Sequence, residues 1–342
     1  MKRTLKPIDW ENLSEEDFLQ MRVRDLKIQI PGSPVEPFIQ RLYEELNAKG
    51  IQFHPPCYFA DEWLCPDKTP IIGIPFYLAH PRLKHLEKKM MFEAEGGTDA
   101  SCMKLLRHEC GHALNYAYDL YKKTRWRELF GQFSARYSTS YYAQPYSRRF
   151  VIHLEDNYAQ SHPDEDFAET FAVWLTPSSR WEEKYRDWPV IKKLRYIEGM
   201  MKRIGDHPPL NTAQGVPPWS AARMTSTLAV HYERKRKVLG SEFKGFYDDS
   251  LKELFMEKRS GSSALKASQL LRQNRRHIID DVTRWTGHRK YDIHQLVNRL
   301  ILRCESLQLY SNSNQTDDLI AATALITAIA SNIFRVNKKR RR

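Results

Sequence analysis

The feature that most constrains this chain is Leu105-Leu106-Arg107-His108-Glu109-Cys110-Gly111-His112-Ala113-Leu114, a His-Glu-x-x-His sequence set inside an amphipathic helical pattern. Histidines four residues apart share one helical face, so both imidazoles can reach a single metal ion. Glu109 lies about 100° further round the helix, near enough to meet a water at the ion without ligating the ion itself. Such a set of residues is what a zinc hydrolase needs. With 12 histidines in 342 residues, the bare pattern would arise in about 2–3% of shuffled sequences, so its setting matters. Asp99 or Ser101 can cap the helix start, and Leu105, Leu106, Ala113 and Leu114 supply a buried stripe beside the histidines. Gly96-Gly97 breaks the chain before it, and the helix is expected over about 99–122.

A second helix is expected over about 163–176, opened by Pro163 with Ser161 just upstream and stopped before Pro177. Phe167, Phe171, Val173 and Trp174 can pack, while Glu165 and Glu169 share another face. Two neutral histidines leave a zinc ion short of a ligand, and an anionic one is favoured. Either Glu165 or Glu169 can supply it. Between the two helices lie Arg136, Tyr137, Tyr141, Tyr142, Tyr146, Arg148, Arg149, Phe150 and Tyr158. Such a mixture can stack bases and grip phosphates, or line a peptide cleft. Its place between the two metal-binding halves favours the cleft.

Upstream, a helix is expected over 35–48, followed by strand-like runs at 57–63 and 71–78 with a turn at Pro66-Asp67-Lys68. Pro75 cannot donate to a ladder, so the second run is expected as an edge or bulged strand. An edge strand beside a metal helix can receive an extended substrate by strand addition. Beyond Pro177 the pattern turns helical, with helices expected at 219–239, 264–285, 292–309 and 317–334. His231, His277, His288 and His294 in this half lack ligand spacing.

A content of 41% hydrophobic and 12% aromatic residues is enough to bury a core, which excludes wholesale disorder. Cys57, Cys65, Cys102, Cys110 and Cys304 are odd in number, scattered and without a CxxC pair, which suits a reducing, cytoplasmic setting better than a disulfide framework. The basic N-terminus runs into acidic residues without an apolar segment, so no secretory leader is expected. Leu319 to Phe334 is 16 residues long, short of the about 20 that a bilayer span takes. A buried helix is expected there and no membrane span. The net charge is +12, and Arg335 with Lys338 to Arg342 concentrates part of it in a basic tail at 336–342. Such a tail suits a nucleic acid, anionic lipid or an acidic partner, and equally well simple solvation.

Four blocks together resemble a known family: Asp61-Glu62-Trp63, Ile74 to Leu83, Arg107-His108-Glu109-x-Gly111-His112-Ala113, and His162-Pro163-x-Glu165-Asp166-Phe167-Ala168-Glu169-Thr170-Phe171-Ala172. They are similar to a bacterial family of zinc-binding metallopeptidases of the gluzincin type, in which a Glu on a later helix completes the site. The second half resembles it more diffusely, through Thr225, Leu228, His231 and Tyr232. A metzincin is excluded, because Asn115 and Tyr118 stand where that motif needs Gly and His. The second helix is also similar to that of the lethal-factor toxin protease domain. That resemblance implies Glu165 as the third ligand, Glu169 as a carboxylate behind a ligand, and Tyr158, seven residues before Glu165, as a catalytic donor. His162-Pro163 departs from the toxin's residues, which leaves His162 or Asp166 open as an alternative ligand.

The expectation is an α+β fold. A zincin-like catalytic domain over 1–180, with a small mixed sheet and two metal-binding helices, precedes a helical region over 181–335 and the basic tail. The function expected is a zinc-dependent metallopeptidase acting on peptide or protein substrates, with one Zn²⁺ per chain. His108, His112 and Glu165 would hold the ion, Glu109 would serve as general base, Tyr158 would assist and Glu169 would orient a ligand. The alternative is a non-catalytic basic protein that binds nucleic acid or an acidic partner and keeps a structural or vestigial zinc site.

Overall fold

The computed structural model describes residues 9–137, 144, 146–215, 217–236, 247–257, 265–312 and 314–333. Tyr141, Tyr142 and the basic tail at 336–342 lie outside the described residues. The fold is α+β, dominated by helices, with one small sheet among the described residues and a helical C-terminal region. By contacts the chain divides into two compact units, and residues 181–232 group with the first.

The first unit comprises the described residues of Met1–Met90 and Ala94–Tyr232. Its sheet has two parallel strands, β1 (Cys57–Ala60) and β2 (Ile72–Pro75), with Tyr58 opposite Gly73 and Ala60 opposite Pro75. Single antiparallel bridges, Ala60 to Ser220 and Leu64 to Gly73, extend it on either side. The expected strand over 71–78 stops at Pro75, and Phe76–Ala79 continue as a buried 3₁₀ turn. Gly73 exchanges both of its backbone hydrogen bonds with Leu64, at 2.8 and 3.2 Å. That edge of β2 is therefore taken at its centre, and the strand-addition role expected of it does not hold.

Asp99–Ala117, the histidine helix, is capped by Thr98, one residue before Asp99 and three before Ser101, the two expected caps. Thr98 accepts from the Ser101 N–H at 3.2 Å while the Ser101 hydroxyl accepts from the Thr98 N–H at 3.1 Å, a reciprocal capping box. From Leu105 to Ala117 every residue is buried. Pro163–Leu175, the glutamate helix, packs along it. Gly111 sets how closely the two approach: a Cβ there would lie 2.8 Å from Ala168 Cα and 3.1 Å from Ala168 O. A third helix, Glu36–Ala48, is locked to the histidine helix by a buried two-pronged ion pair. Arg107 Nε and Nη2 each stand 2.7 Å from an oxygen of Glu45, one residue before His108.

The second unit comprises Met91–Glu93 and the described residues of Glu233–Asn337. Four helices, Ala267–Gln273, Arg275–Thr286, Lys290–Ser306 and Gln315–Ile333, close over an aliphatic core that includes Leu271, Ile278, Val282, Ile293, Leu296, Val297 and Ile326. The helix expected over 264–285 is broken at Asn274, the N-cap of the second of these. No helix among the described residues is long and apolar enough to cross a membrane.

Candidate metal centre

The crossing of the histidine and glutamate helices brings three side chains to one point. His108 Nε2 lies 3.1 Å from Glu165 Oε2, His112 Nε2 lies 3.2 Å from the same oxygen, and the two Nε2 atoms are 3.2 Å apart. All three residues are buried. A tetrahedral zinc ion with bonds of about 2.0–2.1 Å spaces neighbouring ligand atoms about 3.3 Å apart, so this triangle fits one face of its coordination shell.

Each histidine is also held from behind by its own carboxylate. His108 Nδ1 donates to Glu169 Oε1 at 2.7 Å, and His112 Nδ1 stands 2.9 Å from Asp164 Oδ2. A carboxylate on Nδ1 keeps the proton there, which turns the Nε2 lone pair toward the shared point. The carboxylates are themselves fixed. Glu169 Oε2 accepts from the Leu154 N–H at 2.8 Å, while Asp164 accepts from the Tyr116 hydroxyl at 2.6 Å and the Asn115 amide at 2.8 Å.

The segment that supplies the Leu154 N–H is fastened along its length. Lys193 donates to Arg149 O at 2.9 Å, the Ile152 N–H donates to the Tyr185 hydroxyl at 3.1 Å, and Lys104 donates to His153 O at 3.1 Å. Lys104 sits one turn before His108 on the histidine helix, so segment and helix are registered to each other.

The charge balance calls for a cation. Glu109, Asp164, Glu165 and Glu169 are all buried around two imidazoles. Burial alone would lower His108, but hydrogen bonds to Glu165 and Glu169, with Glu109 nearby, outweigh it and raise its pKa to about 10. Burial likewise pushes the Asp164 carboxyl up, yet the His112 ring and the Tyr116 hydroxyl bring it below its ordinary value. Both shifts reflect the pairing of buried carboxylates with the two imidazoles.

The other residues expected at the site divide between its rim and the surrounding frame. Glu109 is 3% exposed, does not belong to the triangle, and its charge acts on both His108 and the Tyr58 hydroxyl. The Tyr158 ring lies beside His108, with centroids 5.7 Å apart. His162, open as an alternative ligand, is the N-cap of the glutamate helix instead of Ser161. Its Nδ1 accepts from the Asp164 N–H at 3.1 Å and its Nε2–H donates to Ala135 O at 2.9 Å. Asp166, the other alternative, points to Lys193 at 2.5 Å, and burial pushes its carboxyl up to about 7 against that pull. Cys110 is fully buried in the core.

Asp164 is the site residue that sequence reasoning misses. It stands in the first helical turn among Pro163-Asp164-Glu165-Asp166, where acids are expected simply to oppose the helix dipole. The available signal is that three consecutive acids cannot all face solvent on a helix that also buries Phe167 and Phe171.

Residues 101–185, which take in the histidine helix from Ser101 onward and all of the glutamate helix, match the model of a family described as "Putative zinc-binding metallo-peptidase". The resemblance read from the His-Glu-x-x-His and glutamate-helix blocks lies inside that segment, whereas the blocks at 61–63 and 74–83 precede it. Comparison with curated proteins and with solved structures gives no significant match.

Proposed function

We propose that this chain is a zinc-dependent metallopeptidase, with one ion held by His108, His112 and Glu165. The observation that carries the reading is the triangle of two Nε2 atoms and one carboxylate oxygen, each histidine backed by its own carboxylate, with Glu109 buried beside it and left out of it. Three protein ligands leave a tetrahedral ion one open position, the mark of a catalytic rather than a structural site. The family match over 101–185 points the same way.

Zinc bound there would supply Lewis acidity, acidifying a water and polarising a substrate carbonyl. Glu109 takes the water's proton as it attacks the carbonyl and hands that proton to the leaving amine. Tyr158, beside His108, donates a hydrogen bond to the carbonyl oxygen as it gains charge. Glu169 and Asp164 hold the two imidazoles in the tautomer that leaves Nε2 free. Peptide or protein chains are the substrate class in this reading. A reducing, cytoplasmic setting belongs to it as well, in keeping with five cysteines that remain thiols.

The test is Glu109→Gln in a peptide-library hydrolysis assay, with zinc content measured on the same samples. The amide keeps the volume and loses the base, so hydrolysis should fall by about 10²–10⁴-fold at unchanged zinc content. Undiminished turnover would remove Glu109 from the chemistry. Zinc bound by a parent chain that hydrolyses nothing, together with steeply salt-dependent binding to nucleic acid, would favour the non-catalytic alternative.

A further inference from the structure

The two oxygens of Glu165 are engaged differently. Oε2 faces both histidine Nε2 atoms, while Oε1 accepts a hydrogen bond from the Tyr137 hydroxyl at 3.0 Å. We infer that Tyr137 is a positioning residue, tying back the outer oxygen of Glu165 so that this carboxylate presents one oxygen to the ion and leaves a coordination position open. The inference rests on the three-ligand centre proposed above and adds a residue that neither the motif nor the family resemblance marks.

Coordination geometry gives the reason. Glu165 is fully buried, and an untied carboxylate in a dry site can swing both oxygens onto a cation. With two histidines and a two-oxygen carboxylate, a four-coordinate zinc ion has no position left for reacting water. A donor fixed on Oε1 prevents that swing. The Tyr137 hydroxyl can act this way only if its own ring is held, and it is. It stacks on the His162 imidazole with centroids 3.7 Å apart and planes 11° from parallel.

His162 serves three purposes at once. Its Nδ1 starts the glutamate helix by accepting from the Asp164 N–H, its Nε2–H anchors Ala135, two residues before Tyr137, and its ring face carries the phenol. Phe133 adds an edge contact to the same ring, with centroids 6.5 Å apart. The loop that delivers Tyr137 is thus registered to the first turn of the helix that delivers Glu165. A shift of one moves the other with it.

The experiment compares the parent with Tyr137→Phe and Tyr137→Ala, reading zinc affinity by chelator competition and the visible spectrum of the cobalt-substituted protein. Phenylalanine keeps the stack on His162 and removes only the hydroxyl. Tyr137→Phe should bind zinc about tenfold more weakly, the lower end of what losing a hydrogen bond to a ligand costs. Its cobalt band should weaken severalfold as Glu165 becomes a two-oxygen ligand whose narrow bite distorts the four-coordinate site. A Tyr137→Phe protein matching the parent in both readouts overturns the inference, and a loss that occurs only in Tyr137→Ala does too, because it reduces Tyr137 to packing. A parent that takes up neither ion overturns the centre and this inference together; a parent that binds both while Tyr137→Phe is unchanged overturns the inference alone.

Discussion

The two units bury different things. In the second, the core is mostly aliphatic, and among the described residues its buried acidic side chains sit near helix starts: Asp318 accepts from the Ser311 hydroxyl and the Asn312 N–H, both at 2.7 Å, and Asp292 pairs with Arg289 at 3.0 Å. In the first, Glu45, Arg107, His108, Glu109, His112, Asn115, Glu165, Asp166 and Glu169 are buried within or between helices. Desolvating such groups is costly unless each is paired. Apart from Glu45 with Arg107 and Asp166 with Lys193, which fasten the frame, these side chains centre on one triangle of atoms. A core built only for stability would resemble the second unit, and the first differs from it by gathering buried charge around a group that could hold a metal ion.

That contrast can be broken from either side. Leu296, 2% exposed in the second unit's core, should matter to stability alone: Leu296→Ala should cost about 2–5 kcal/mol in denaturant unfolding and leave zinc affinity unchanged. A zinc affinity that fell with it would end the separation of roles. In the first unit the expectation inverts. Asp164→Asn keeps the shape and removes the charge behind His112, so zinc affinity by chelator competition should fall about 10–100-fold; an unchanged affinity would return Asp164 to the role of a helix-start acid.

The third expectation concerns pH. Without metal, the His108 pKa is raised to about 10, above the ordinary histidine value near 6.5, so its contribution to stability is complete below about pH 6.5 and is lost as pH rises through about 10. Zinc must displace that proton. Apparent zinc affinity should therefore rise by about tenfold per pH unit between about pH 6.5 and 9, with proton release on zinc addition measurable by calorimetry in buffers of different ionisation enthalpy. A flat profile would mean that His108 is already neutral before the ion arrives.

Helical period is the part of this site that is legible in the sequence. His108 and His112 share a face by spacing alone, and Glu165 with Glu169 do the same. The geometry sets Glu165 at the triangle and Glu169 behind His108, whereas spacing alone leaves the two interchangeable. The interlocking of the helices is not legible, because it depends on Gly111 admitting Ala168 at close range, and only that crossing brings Asp164 against His112. Tyr137 stands among the tyrosines and arginines between the helices, yet no period links a loop residue to a helix 28 positions on. The strand expected over 71–78, as an edge or bulged strand because of Pro75, ends at that proline and gives way to a 3₁₀ turn.

In the proposed centre, Glu165 completes a three-ligand zinc site with His108 and His112. Its most direct test is zinc per chain by elemental analysis, in the parent and in Glu165→Ala purified and reconstituted side by side. Close to one equivalent is expected in the parent, with a clear loss in the variant. Equal zinc in both, or none in the reconstituted parent, would contradict the claim.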